Sequence, residues 1–188
     1  MSLHKKSPIL ICIDLQQGFL DEEYWGGGRN NQDAELICAS VIKKWRELGL
    51  EIIHVRHSST NPLSKLHKDN EGFLFNPLTQ PADNEITITK SVNSAFIGTN
   101  LKELIDEKSC NTIIIVGLTT DHCISTTTRM AGNYGYETYL ISDATATFNK
   151  IGIDGEEFDS ELIHSTALAS LHEEFASVIN SDTLFKIL

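Results

Sequence analysis

The sequence predicts an α/β fold: three layers, α/β/α, around a doubly wound, mostly parallel six-stranded sheet. Three observations carry that expectation. Apolar runs of strand length alternate along the chain with amphipathic helical segments. The runs from Ile9 to Ile13 and from Asn111 to Val116 are almost continuously apolar, as strands buried on both faces are. The segment from Asn111 to Ser142 reads as strand, tight turn, helix and strand, which is one parallel crossover unit.

Taken in order, strands are expected near 8–14, 51–56, 86–89, 112–117, 137–142 and 176–179, and helices near 32–48, 97–107, 122–134 and 159–172. Asp14 closes the first strand. Ala34, Ile37, Cys38, Val41, Ile42, Trp45 and Leu48 recur at helical spacing, and Gly49 stops that helix. Ile86 and Ile88 alternate with Thr87 and Thr89, Lys90 ends that strand, and a helix is expected to start near Phe96. Gly117 to Asp121 break the next strand. A helix with Cys123 at its beginning follows, with Asp121 as its expected N-cap and Gly135 as its stop. Asp159 is the expected N-cap of the last long helix. The least regular stretch, His57 to Asn84, carries Pro62, Pro77 and Pro81. A loop of that length usually shapes a site or meets a partner.

At 188 residues, with 40% hydrophobic and 22% charged residues, the chain is expected to form one soluble domain over 1–188. A formal net charge of −11 with no basic cluster excludes a nucleic-acid backbone as partner. No apolar run reaches the length of a membrane span. The N-terminus lacks the pattern of a signal peptide, so a cytoplasmic location is expected. Met1-Ser2-Leu3 is of the kind an expression vector leaves, so the native start is left open. Cys12, Cys38, Cys110 and Cys123 are widely spaced and form no CxxC, which reads as free thiols. There is no GxGxxG after a strand, no Walker loop and no GxSxG elbow; Gly26-Gly27-Gly28 reads as a flexible connection.

The chemistry concentrates at three strand ends. In a parallel sheet the C-terminal strand ends share one edge, where active sites of open α/β sheets lie. Asp14, Lys90 and Cys123 all fall there. A cysteine at a helix start meets unpaired N–H groups and the positive end of the helix dipole, which favour the reactive thiolate. The competing reading is a buried structural cysteine. Asp14 is either a turn residue or an acid held in a low-dielectric cleft.

Three blocks carry a resemblance. ICIDLQQGF, ITKSVNSAF and IIIVGLTTDHCISTTTRMA, in that order, resemble the motifs of the isochorismatase-like cysteine hydrolases, which include nicotinamidases and N-carbamoylsarcosine amidases. The resemblance spans about residues 8 to 180. It implies Asp14 as catalytic acid/base, Lys90 as catalytic lysine and Cys123 as nucleophile; Thr126 also fits the third block. It further implies a cis peptide between Leu118 and Thr119, and an oxyanion hole from the N–H groups of Thr119 and Cys123. The expected reaction is hydrolysis of an amide, carbamoyl or ureide C–N bond of a small molecule through a thioester. Isochorismatase-type cleavage of a vinyl ether is the alternative; so is a non-catalytic or thiol-redox protein on the same fold, with Cys12 as the thiol to check.

Phe19, Trp25, Leu118, Asn93 and His57 are the expected substrate contacts. Tyr24, Phe96 and His122 stand as candidates with core or solvent roles as rivals. Arg56 with His57 could hold an anionic group or form a surface salt bridge. No cofactor is expected. Nicotinamidases pair an Asp-x-His after the second strand with a further His to bind a metal. Here HVRHSS supplies His57 but places Val55 where the Asp belongs, and His54 and His67 show no ligand spacing, so no metal is expected. The family resemblance also implies a homodimer or homotetramer, with 57–84 as a candidate contact region.

Overall fold

In the computed structural model, which describes residues 2–188, six strands pair in parallel. They are β1 (Ile9–Ile13), β2 (Ile52–His57), β3 (Ile86–Lys90), β4 (Thr112–Leu118), β5 (Glu137–Ala146) and β8 (Ser177–Ile179). Their order across the sheet is β3-β2-β1-β4-β5-β8. The chain therefore builds outward from β1 in one direction, then crosses back and builds outward in the other. The reversal falls between β1 and β4, and ligands of open α/β sheets bind at such a switch point, beyond the carboxyl ends of the strands.

Period-two alternation in the central strands feeds two separate cores. Ile9, Ile11, Ile13, Ile113 and Ile115 pack on one face with Leu101 and Ile105 of α2 (Leu101–Glu107), Ala131 of α3 (Ser125–Asn133) and Leu171 of α4 (Ser160–Leu171). Leu10, Cys12, Ile114 and Val116 pack on the other face with Cys38, Val41, Ile42 and Trp45 of α1 (Ala34–Leu48) and Leu184 of α5 (Ser181–Ile187). The continuous apolar runs exist because both faces need filling. Gly49 ends α1 in the left-handed region at φ +64°. Asp159 caps α4, accepting from Leu162 N at 2.8 Å.

Several expectations need correction. The helix expected from 97 begins at Leu101, because the residues before it form turns in which Thr99 Oγ1 donates to Ala95 O. The helix expected from 122 opens with a single π-helical turn, Thr120–Ile124, before α3 proper. Asp121 is not an N-cap: it lies inside that turn and accepts from Thr147 Oγ1 at 2.5 Å. β5 runs past 142 to Ala146 because a bulge between Ile115 and Gly117 resets the register, so that Gly117 and Leu118 pair with Thr145 and Ala146. The antiparallel pair β6 (Lys150–Ile151) and β7 (Glu157–Phe158) and the helix α5 were not expected. Met1 of the opening tripeptide lies outside the described residues.

The irregular stretch after β2 is bound into the fold by the buried Gln16. Its Nε2 donates to His57 O (3.0 Å) and Phe73 O (2.9 Å), and its Oε1 accepts from His57 N (2.8 Å). Among the described residues, no helix is long and apolar enough to cross a membrane.

Gly117 sits where β4 presses closest on β1. Its φ is +125°, and a Cβ there would overlap the Ile13 backbone carbonyl. Gly117→Ala is therefore expected to cost at least about 2 kcal/mol, from overpacking against backbone plus a disfavoured φ. The urea midpoint measures this, and an unchanged midpoint would contradict the close approach.

Candidate active site

Each of the three chemical side chains is delivered by the end of a strand. Asp14 follows β1 in the left-handed region, φ +52°, which Asp tolerates better than most residues. Its N–H donates to Val55 O at 2.7 Å, and its carbonyl accepts from Gln16 N at 2.8 Å. Lys90 is the last residue of β3. Cys123 lies in the π-helical turn beyond β4.

The three meet. Lys90 Nζ donates to Asp14 Oδ2 at 2.7 Å and to Cys123 Sγ at 3.2 Å, and lies 3.3 Å from His57 Nδ1. The Asp14 and Lys90 side chains are fully buried. Oδ1 of Asp14 is buried with no hydrogen-bond partner among the described residues, so one acceptor of the carboxylate stays uncommitted. Burial first, and the Lys90 ammonium second, hold the His57 pKa below its ordinary value. His57 is thus neutral, and Nδ1 accepts from the ammonium.

The thiol itself differs from the expectation of a ready thiolate. Burial pushes the Cys123 pKa up, the neighbouring Asp14 carboxylate pushes it further, and Lys90 only partly offsets them. The helix-start argument overlooked both the depth of the sulfur and the negative charge beside it. The resting group is a neutral thiol next to a carboxylate.

Asp14 and Cys123 line a cavity of about 200 Å³, and the buried Lys90 bonds to both without lining it. Phe19, Trp25 and Phe148 wall it with nearly parallel rings: Phe19 stacks on Trp25 at 4.7 Å between centroids, and Phe148 lies 6.4 Å from Phe19. Trp25 is fixed by its Nε1, which donates to Gly18 O at 2.8 Å. Asn93, His57 and Thr119 also line the cavity, Ser64 and Leu66 enter from the irregular stretch, and His122 and Lys150 stand at its rim. A larger open groove of about 740 Å³ along Gln17, Asp21, Lys65 and Gly72 holds none of the three chemical groups.

Leu118 does not line the cavity. It is fully buried beneath it, among Phe19, Ala34, Ala146 and Phe148, because its side chain points into the packed layer between β4 and the aromatic wall. Tyr24 is exposed and edges on Trp25, and Phe96 packs in the core against Tyr134 and Tyr136. Arg56 stacks on Phe73 at 4.2 Å from the ring centroid, away from the cavity. Phe148, Ser64, Leu66 and Lys150 were missed. Ser64 and Leu66 lay in a stretch already marked as functional, whereas Phe148 and Lys150 had no spacing signal. Cys12 is no partner for Cys123: alternation in β1 puts it in the opposite core.

The peptide between Leu118 and Thr119 is cis. Asp14, His57 and Cys123 offer three ligand atoms within 4.8 Å of one another, which invites a metal. The residues do not fit one. The Lys90 ammonium is hydrogen-bonded to Asp14 and Cys123 and faces His57 Nδ1, so the centre of the set already holds a cation. Val55 supplies no carboxylate, and His54 is engaged elsewhere, with Nε2 2.8 Å from Glu85 Oε2. His67 Nδ1 accepts from Asp69 N within the irregular stretch.

The Isochorismatase domain model matches residues 8–183. The isochorismatase family protein YrdC of Bacillus subtilis is 47% identical over 175 residues, covering 93% of this chain and 92% of that protein. Nicotinamidase 3 of Arabidopsis thaliana is 32% identical over 101 residues, covering 54% of this chain and 46% of its own. Among solved structures, a hydrolase of the isochorismatase family from Chromobacterium violaceum superposes with a TM-score of 0.93 at 35% identity, covering 100% of this chain and 96% of that one. The chain belongs to the isochorismatase family of hydrolases.

The charges around the sulfur set opposite expectations for two variants. Asp14→Asn removes a negative neighbour, lowers the thiol pKa and speeds iodoacetamide alkylation of Cys123 at neutral pH. Lys90→Met removes the positive one and slows it. A tenfold change in rate corresponds to about one pKa unit. Equal rates in both variants and the wild type would contradict this account of the thiol.

Proposed function

We propose that the chain is a cysteine hydrolase, one domain over 1–188, that cleaves an amide, carbamoyl or ureide C–N bond of a small molecule. One observation carries the reading: a thiol and a carboxylate with a free oxygen line one cavity, and a buried ammonium is hydrogen-bonded to both. That set is what thiol attack on a carbonyl needs. A vinyl ether is opened by protonation and has no use for the sulfur. The plant nicotinamidase relative, an amidase by its name, supports the same side.

In this reading Cys123 attacks the carbonyl carbon while Asp14 Oδ1 takes the thiol proton. Proton and sulfur move together, which suits a thiol that rests neutral. Lys90 stays paired to Asp14 and offsets the charge that develops on sulfur. The oxyanion of the tetrahedral intermediate is met by the N–H groups of Thr119 and Cys123. As the intermediate collapses to a thioester, Asp14 returns its proton to the departing ammonia or amine. Water, deprotonated by Asp14, then hydrolyses the thioester to a carboxylic acid and frees the thiol. Phe19 and Trp25 pack the acyl group, and Asn93 and His57 bound its polar side. A cavity of about 200 Å³ suits a small-molecule substrate.

Ammonia release from a panel of small amides, carbamoyl compounds and ureides tests this. Wild type is expected to release ammonia from at least one member. Cys123→Ala and Asp14→Asn are expected to lose at least ~10³-fold of that rate, as when a nucleophile or its base is removed. The melting temperature of Cys123→Ala should stay within a few degrees, whereas that of Asp14→Asn should fall by several degrees or more, because the buried Lys90 ammonium loses its carboxylate. Full turnover by Cys123→Ala would sink the mechanism, and no release from any compound by the wild type would point to vinyl-ether chemistry.

A further inference from the structure

Behind the π-helical turn lies a buried polar cluster that the chemistry above does not use. Thr120 opens the turn, between Thr119 and Cys123. Its Oγ1 is 2.8 Å from His164 Nδ1 on α4 and 3.0 Å from Thr145 Oγ1 near the end of β5. Thr120 and Thr145 are fully buried, and His164 nearly so. On its far side His164 Nε2 faces Asn31 Nδ2 at 3.4 Å. That amide nitrogen also donates to Ser142 O at 3.1 Å and Thr145 O at 2.7 Å. Both hydrogens of the amide go to those carbonyls, and an amide nitrogen accepts no hydrogen bond, so the Nε2 that faces it carries no proton. The ring proton therefore sits on Nδ1 and is donated to Thr120 Oγ1, which shares a second hydrogen bond with Thr145 Oγ1. Burial lowers the His164 pKa against the opposing carboxylates of Glu161 and Asp121, which keeps the ring in this neutral form.

We infer that Thr120 and His164 are positioning residues that hold the π-helical turn in the alignment where the Thr119 and Cys123 N–H groups meet the oxyanion. The inference rests on the cysteine-hydrolase reading. The turn is poorly held by itself. It has no side-chain cap, and the N–H groups of His122 and Ile124 share one carbonyl, that of Thr119, each at 3.2 Å. Single π-helical turns are uncommon and concentrate at functional sites. Beside the Thr147–Asp121 bond at the turn, the tether adds one hydroxyl bonded to a helix on one side and to a strand of the sheet on the other. Neither Thr120 nor His164 lines the cavity, so both act through the backbone they hold.

Four substitutions separate this role from general stability. Thr120→Val removes the hydroxyl at nearly constant shape, and Thr120→Ser keeps it. His164→Leu removes the ring donor, and His164→Asn places an amide N–H near the position of Nδ1–H. On the amide that wild type hydrolyses fastest, Thr120→Val and His164→Leu are each expected to lower kcat by ~10-fold or more with KM within about twofold, the pattern of lost transition-state alignment. Thr120→Ser and His164→Asn should stay within about threefold of wild type, and the double variant Thr120→Val/His164→Leu should be no worse than either single, as for members of one network. Backbone amide exchange in Thr120→Val should rise in peptides covering 118–126 and not in those covering β1. The inference is overturned if Thr120→Val keeps wild-type kcat, or if its loss comes with faster exchange throughout the chain. If wild type releases ammonia from no amide, the reading of the reaction fails. Exchange then decides the tether alone: unchanged protection at 118–126 in Thr120→Val overturns it, and a local rise supports it.

Discussion

A lysine ammonium sealed between a carboxylate and a thiol is the constraint around which this site is built. A buried charge costs several kcal/mol unless it is paired and hydrogen-bonded. Lys90 meets that demand with Asp14 at 2.7 Å and with neutral His57 and Cys123 close by. The sheet order explains why the residue is a lysine. β3 and β1 are separated by β2, so their ends lie roughly 10 Å apart at a strand spacing of about 4.8 Å. Only a long side chain can cross that gap. His57 pairs in register with Lys90 on the strand between, which puts its ring beside the ammonium as it passes. The left-handed turn at Asp14 and the missing side chain at Gly117 let the neighbouring strand ends close on the same point.

Much of this was legible in the sequence, and for a physical reason. Strands buried on both faces must be apolar throughout, so β1 and β4 stood out, and the polar residues that ended β1 and β3 and followed β4 fell together at one sheet edge. Asp14, Lys90 and Cys123 were found that way. The protonation state of the thiol was not. Position at a helix start argues for a thiolate, but depth and the adjacent carboxylate argue the other way, and both depend on tertiary packing. Leu118 was misjudged because sequence distance to the cysteine says nothing about which way a side chain points. Phe148 and Lys150 arrive from a loop and a two-residue strand whose pairing has no periodic signal. α5 was missed although Asn180 caps it, accepting from Thr183 N at 2.9 Å, because the helix is short.

The irregular stretch after β2 shows how a loop becomes part of a site. Its length marked it as functional. The buried Gln16, just after Asp14, bonds both its start at His57 and its middle at Phe73, so the residue next to the chemistry also fixes the wall. Ser64 and Leu66 are carried to the cavity by that anchoring.

In the proposed reaction the covalent bond to Cys123 is where the substrate's acyl group must pass, whichever way the thiol loses its proton. Rapid acid quench of wild type with excess hydrolysable amide, followed by peptide mass spectrometry, looks for that bond directly. The account predicts an added mass equal to the acyl group on the peptide carrying Cys123, appearing before steady state and absent from all other cysteines. Turnover with Cys123 unmodified at every time, and solvent oxygen entering product without an acyl-enzyme, would contradict it.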